Sequence, residues 1–478
     1  MEVGDKKQLP NGLRVILIRD PDISLEADPE GAEEAAPPDS ALGESDADAR
    51  KGYPDTSPAG RADDEECGYG SDEGDEGGDE GSTGSDDDDD DDEETPSLPV
   101  GPATKKAAVA MSVHVGSFSD PVDIPGLSHY LEHMLFMGSE AFPTENEYDR
   151  FLTQHGGSSN AYTDAEHTVF FFDVAPQHLR GALARFAGFF THPLCLASSM
   201  EREVEAVDHE FRGQLQSDSA RGFQLLSHGA RPGHPLSTFT WGNKKSLWDT
   251  PNAHGVDVRA RLLAHYRDTY RADRMHLVVL GGQPLDELQA WVVDLFTDTP
   301  SDGPCCRRSP PPDSPSVQPG ALAPPPSPPP SFSSSIEPRV GGVITAAERH
   351  LDAGLPFVGP SIYVECPSVA ERPMLELCFQ LPSLLTSYAK KAEDYVAHCL
   401  GHEGPGSLCS ALKRHDLAHG LSAGVEASGM DRNRIYMLFT VHIQLTERGA
   451  TTPEGLAHVL RLYFATVAML RRERPQVG

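Results

Sequence analysis

Two stretches of this chain cannot build a hydrophobic core, and together they fix where folding can occur. Between positions 21 and 100 stand 30 acidic and 3 basic residues, including the unbroken acidic run Asp86 to Glu94. From about Asp20 to Pro102 the composition is Glu, Asp, Gly, Ser and Pro. Such a segment offers too little apolar area to offset the entropy of ordering, so disorder is expected over 21–102. Strand patterns nevertheless flank it on both sides. Leu13 to Ile18 follows the turn signal Asn11-Gly12, and Ala107, Val109, Met111, Val113 and Val115 alternate beyond it. The acidic segment therefore reads as an insertion between two strands of one domain. A second break, residues 300–340, is rich in Pro and Ser, with Pro324-Pro325-Pro326 and Ser333-Ser334-Ser335, and reads as an extended linker.

These breaks explain the charge. Of the formal net charge of −35, the segment 21–100 carries −27, leaving an ordinary −8 for the rest. A nucleic-acid binder would need basic surface to neutralise phosphates, so that class is excluded. No apolar run approaches the ~20 residues that span a bilayer, which argues against a membrane protein. The 8 cysteines include adjacent Cys305-Cys306 but no C-x-x-C pair, so no zinc knuckle or thioredoxin-like motif is present. Scattered cysteines fit a reducing compartment, and Met1-Glu2-Val3-Gly4-Asp5 opens no signal sequence, so a cytoplasmic location is expected.

The periodicity elsewhere predicts strands and helices in mixed runs. Helices are expected after Gly126, from a Pro143-Thr144 cap through Leu152, over His178 to Phe190, over Ser198 to Gln216 with Ser199 near its start, and from Pro284 to Phe296. Asn160 to Val174 reads as one long strand, and Met275 to Leu280 as a buried one. Beyond the linker, strand patterns at Ile362-Tyr363-Val364, Leu375 to Phe379 and Ile435 to Leu445 alternate with helical ones at Ala392 to Leu400 and Glu454 to Arg471. The fold class is α+β. The expected domains are 1–20 with 103–299, a complete first unit, and 341–478, a second α+β unit too short to match it.

The chemistry concentrates in Ser128-His129-Tyr130-Leu131-Glu132-His133-Met134. On a helix, His129 and His133 lie on one face at i and i+4 and can reach one metal ion, with Glu132 leaning over the same face. This is the H-x-x-E-H order of inverzincin peptidases. Leu127, Leu131, Met134 and Leu135 supply an apolar stripe beside the histidines. A catalytic zinc takes three protein ligands and leaves a position for water. The acidic helix offers Glu201, Glu203, Glu205, Asp208 and Glu210, and Glu203 and Glu210 share a face. Spacing alone does not choose among them. Two other histidine pairs read as decoys: His398 and His402 have no carboxylate between them, and His415-Asp416-Leu417-Ala418-His419 has Asp where Glu would be needed.

Gly126-Leu-Ser-His-Tyr-Leu-Glu-His-Met-Leu-Phe-Met-Gly-Ser139, Gly156-Gly-Ser-Ser-Asn-Ala-Tyr-Thr163 and Arg202-Glu-Val-Glu-Ala-Val-Asp-His-Glu210 resemble the insulysin/pitrilysin family of zinc metallopeptidases. The acidic insertion, Ala230 to Pro235 and Trp241-Gly242-Asn243 resemble a branch that favours dibasic sites in peptides. The resemblance implies two-layer helix-on-sheet domains of the pitrilysin and mitochondrial-processing-peptidase type, the first complete and the second truncated. It implies one Zn2+ held by His129, His133 and Glu210, with Glu203 orienting a histidine ligand through its ring N–H. Glu132 then takes a proton from the zinc-activated water and passes it to the leaving amine. Asn160, Ala161 and Tyr162 correspond to an edge strand that pairs with extended substrate backbone, although Tyr162 also suits ordinary strand packing.

The expected function is a zinc-dependent endopeptidase acting on peptides at basic sites. The family's enzymes have two homologous halves that enclose the peptide, so a C-terminal half or a dimer partner is expected to be needed. The acidic segment suits docking of basic peptides or protein partners. The alternative is a non-catalytic binding protein that uses only that segment.

Overall fold

The computed structural model describes residues 1–4, 6–25, 105–301, 353–359, 361, 363–369 and 373–473. Most of the acidic insertion and nearly all of the linker lie outside the described residues, as does Ile362. Met1–Ala27 and Thr104–Gly478 belong to one compact unit.

Its first lobe is built on a seven-stranded sheet. The strands are β1 (Glu2–Val3), β2 (Lys7–Gln8), β3 (Arg14–Arg19), β4 (Ala107–Val113), β5 (Ser158–Thr163), β6 (Thr168–Val174) and β7 (Met275–Gly281). Their order is β1-β3-β7-β4-β6-β5, with β2 also pairing with β3. Only β3 and β7 run parallel, so β3 and β4, which bracket the insertion in sequence, are separated in space by β7.

Alternation decides which face is covered. Ala107, Val109, Met111 and Val113 of β4 are all buried, with half-buried residues between them. Val109 stands opposite Phe172 and Val279, and Met111 opposite Phe170 and Leu277. Helices α1 (Leu127–Leu135), α2 (Glu147–Gln154), α3 (Leu179–Thr191) and α4 (Ala197–Gln214) contribute to the same core. Phe170, Phe186 and Phe190 fill its centre, with Phe170 and Phe190 ring centroids 5.5 Å apart. Burying three such rings contributes several kcal/mol in transfer terms alone, at ~25 cal/mol per Å2.

The run Asn160 to Val174 is a hairpin rather than one strand: Asp164 to His167 turns the chain, closed by Asp164 N donating to His167 O at 2.8 Å. No glycine or proline marks that turn, so its β-rich flanks read through it. Two helix starts also differ from expectation. α2 is entered through Asn146 at φ 62°, without a side-chain cap from Thr144. α4 begins at Ala197, with Ser199 buried inside its first turn and bonded to Glu145.

After α4 come α5 (Asp218–Gly229), the short α6 (Thr250–Ala253), α7 (Val258–Thr269) and α8 (Leu285–Phe296). The second lobe holds β8 (Met374–Pro382), β9 (Ala418–Gly424) and β10 (Tyr436–Leu445), ordered β8-β10-β9 and antiparallel. It carries α9 (Ala392–Gly401), α10 (Leu408–Arg414), α11 (Glu447–Thr451) and α12 (Pro453–Glu473). Leu408, Leu412, Val441, Ile443 and Val459 form its own core. Tyr363 and Val364 are exposed and outside any strand, unlike the strand expected there. Phe118, Ala165, Leu236, Tyr436 and Leu438 join the lobes in a third buried cluster. No described helix is long and apolar enough to cross a membrane.

Candidate metal centre

The site begins with how α1 is started. Gly126 precedes it at φ 88°, where a side chain would be strained, and an added Cβ would stand 2.3 Å from Gly242 Cα. Helix N-termini leave backbone N–H groups without intrahelical partners. Here the Asp120 carboxylate accepts from Gly126 N at 2.7 Å and Ser128 N at 2.8 Å. Leu127, Tyr130, Leu131, Met134 and Leu135 are fully buried on one side of α1. That apolar anchor leaves His129 and His133 on the face toward α4. Tyr130 ties the two helices together, its hydroxyl donating to Met200 O at 2.7 Å.

On α4, the five acidic candidates separate by environment. Glu201 and Glu205 are exposed, and Glu205 pairs with Lys244. Asp208 accepts from Lys244 N at 2.9 Å and so holds the loop that follows Trp241. Glu210 faces both histidines: its carboxylate oxygens lie 3.4 Å from His129 Nε2 and 3.6 Å from His133 Nε2. Glu203 instead stands 3.8 Å from His133 Nδ1. Ligand atoms of His129, His133 and Glu210 all lie within 4.8 Å of one another, the one such trio of His, Cys, Asp and Glu among the described residues.

The outer nitrogens are held from behind. His129 Nδ1 is 2.7 Å from Trp241 O, a contact that requires the proton on Nδ1 and turns Nε2 toward Glu210. The opposing charges leave a signature. Burial works to lower the His133 pKa, but its contacts with Glu203 and Glu210 outweigh this and push it up to about 9. Hydrogen bonds to His129 and His133 hold the Glu210 carboxyl well below the usual carboxylate range.

Glu132 is only 7% exposed and accepts from Thr163 Oγ1 at 2.6 Å. Burial raises its pKa against the pull of that bond. Asn160, Ala161 and Tyr162 lie on β5, whose outer side pairs with no described strand. Asn160 and Tyr162 are exposed and Ala161 is half-buried.

These groups open on a cavity of about 1260 Å3 whose near side includes His129, Glu132 and Tyr162 and whose far side includes Glu376, Glu426 and Asp431 of the second lobe. Burial, then the charges of Glu426 and Glu376, push the Asp431 carboxyl up to about 7. This acidic far wall escaped the sequence reading, since no local motif joins Glu376 on β8 to Glu426 and Asp431 in the connection between β9 and β10. Thr163 and the Trp241 carbonyl escaped it too, the latter because a backbone acceptor leaves no side-chain signature. The decoys stay apart. His398 and His402 rings are 6.0 Å apart, and His415 ends α10 and is followed by the left-handed Asp416, with His419 on β9.

The profile described as insulinase (peptidase family M16) matches residues 99–238, and that of the peptidase M16 inactive domain matches 257–476. The chain belongs to the insulinase family of peptidases. It is 42% identical over 373 residues to a nardilysin-like protein of Arabidopsis thaliana, covering 78% of this chain and 32% of that one. It is 38% identical over 378 residues to the insulin-degrading enzyme of Mus musculus, again covering 78% and 32%. Among solved structures, pitrilysin matches at a TM-score of 0.59 and 25% identity, over 78% of this chain and 34% of that one. The chain thus spans about a third of the length of these insulinase-family relatives. The helix-on-sheet lobes expected from the family are the ones observed.

Proposed function

We propose that this chain carries the bond-cleaving centre of a zinc endopeptidase, with one Zn2+ per chain and basic peptides as substrates. The observation that carries the reading is the convergence of His129, His133 and Glu210 beside the buried carboxyl of Glu132. Two imidazole nitrogens and one carboxylate form a donor set that zinc accepts while keeping a position open. Bound there, zinc supplies Lewis-acid polarisation of the scissile carbonyl and acidification of a water.

The protein's own groups do the rest. Glu132 takes the proton of the attacking water and delivers it to the leaving amine nitrogen. Glu203 and the Trp241 carbonyl hold the two imidazoles in the tautomer that offers Nε2. The open edge of β5 at Asn160, Ala161 and Tyr162 takes an extended peptide as an added strand. Glu376, Glu426 and Asp431 form an acidic far wall that would favour a Lys or Arg side chain, and the strained ionisation of Asp431 would be relieved by such a cation.

The acidic segment 21–102 would raise the local concentration of basic peptides or protein partners through long-range attraction. Deleting residues 21–100 should weaken binding of a basic peptide at low salt, and unchanged binding sinks that part of the reading. A complementary second half or a partner copy would close the remaining walls. A cytoplasmic site of action fits the free cysteines Cys195, Cys366, Cys378, Cys399 and Cys409.

Glu132→Gln is the central test. It should retain one zinc per chain and lose peptide hydrolysis; full activity in the variant refutes the assignment of the base. A wild-type chain that binds basic peptides but neither takes up zinc nor cleaves would support the non-catalytic alternative.

A further inference from the structure

The hydroxyl of Thr163 meets Glu132 Oε2 at 2.6 Å, short for a neutral donor and normal for one bonded to a carboxylate. Its direction is fixed by the neighbours. Thr168 Oγ1 lies 3.3 Å from Thr163 Oγ1, but Thr168 gives its one proton to Val115 O at 2.9 Å. The Thr163 proton is then left for Glu132. Thr163 is also the last residue of β5, next to the edge positions Asn160 to Tyr162.

The turn that follows is held from both lobes. On the first-lobe side, Ser117 N and Phe118 N donate to Asp164 O and Ala165 O, each at 2.9 Å. From the second lobe, Gly429 N donates to Asp164 Oδ2 at 2.6 Å. Arg434 grips Glu166 twice, through its backbone N at 2.8 Å and its Nε at 3.0 Å. A glutamate side chain has three rotatable bonds, and a proton-transfer group loses rate when its geometry wanders. A single hydroxyl on an anchored hairpin removes that freedom from one carboxylate oxygen and leaves the other for the proton.

We propose that Thr163 is a positioning residue for Glu132, kept in place by the grip of the second lobe on Asp164 and Glu166. The second lobe, whose family profile is described as inactive, thereby sets the aim of the base in the first. The proposal rests on the peptidase reading of Glu132.

The test uses the full chain loaded with zinc. Thr163→Val keeps shape and strand propensity but loses the donor, and should lower kcat roughly 10-fold or more with KM within about twofold. Thr163→Ser should recover kcat to within roughly threefold. In an E132Q background, T163V should leave the affinity for a labelled peptide unchanged, which shows that the substrate edge is intact. Arg434→Ala should lower kcat in the wild type and add nothing to T163V. Crystals of zinc-loaded T163V should show the Glu132 side chain in more than one rotamer, against one in wild type and T163S. Loss confined to KM, or an unchanged kcat with Glu132 in its original rotamer, overturns the proposal. If the wild-type chain cleaves nothing, the peptidase reading fails, and the Glu132 conformers still decide whether Thr163 holds this side chain.

Discussion

His265 sits under the start of the motif helix, 7% exposed, with Nε2 3.0 Å from Ser128 Oγ. Ser128 Oγ in turn donates to Gly116 O, so the imidazole serves as the N–H donor in this contact. Burial, then the nearby charge of Arg261, pushes its pKa down to about 4 from an ordinary value near 6.5. The unfolded chain therefore binds a proton at mildly acidic pH that the folded chain refuses. Stability from this group is complete above pH ~6.5 and is lost as pH falls toward 4. With these two values the loss between pH 7.5 and 5.0 is about 2 kcal/mol, and about 3 kcal/mol below both.

The wild-type curve alone mixes this with other groups. Asp120, pushed up to about 7 by burial against its bonds from Ser128 and Gly126, contributes with the opposite sign and gains stability as pH falls. The assay is therefore urea unfolding of wild type and His265→Gln at both pH values. Gln keeps an N–H donor but cannot titrate, so the stability difference should shift by about 2 kcal/mol in favour of the variant at pH 5.0. A difference that stays constant within about 0.5 kcal/mol refutes a buried neutral His265.

Gly126→Ala should destabilise the chain by more than about 2 kcal/mol in the same assay, because it combines positive-φ strain with a Cβ 2.3 Å from Gly242 Cα; a near-neutral result contradicts that close approach. Phe190→Ala, fully buried between Phe170 and Phe186, should cost about 3–5 kcal/mol, and a loss under 1 kcal/mol would mean the site collapses to refill itself. Glu210→Gln should weaken zinc binding, measured by competition with a chromogenic chelator, far more than Glu205→Gln. Equal effects would remove Glu210 from the ligand set.

How much of this was legible in the sequence depends on where the information resides. The spacing of His129 and His133 is a property of one helix, so it could be read directly. The choice between Glu203 and Glu210 could not come from spacing, because seven residues put both on one face of α4. Tertiary placement separates them: Glu210 meets the two Nε2 atoms, whereas Glu203 lies at Nδ1 of His133. The hairpin turn at Asp164 to His167 was hidden because its geometry is secured by Gly429 and Arg434, more than 260 residues away. The second-lobe strand β9 was missed for a related reason. Ala418-His-Gly-Leu-Ser-Ala-Gly424 has weak strand propensity and is held by pairing with β10.

The parallel pairing of β3 with β7 sets Leu17 opposite Val279. A chain emerging from the ribosome can pair its third strand with β1 and β2 at once, but carries the edge that faces β7 open until 262 later residues have been made, 279 minus 17. Loop-closure entropy grows only as about (3/2)RT ln n. Removing some 80 residues of acidic sequence from that loop would ease closure by only about 0.3 kcal/mol. The long insertion is thus almost neutral for the equilibrium stability of the sheet. Its position, inside a loop that the topology already makes long, is one of the places in this fold where a segment of that size can be added at so little energetic consequence.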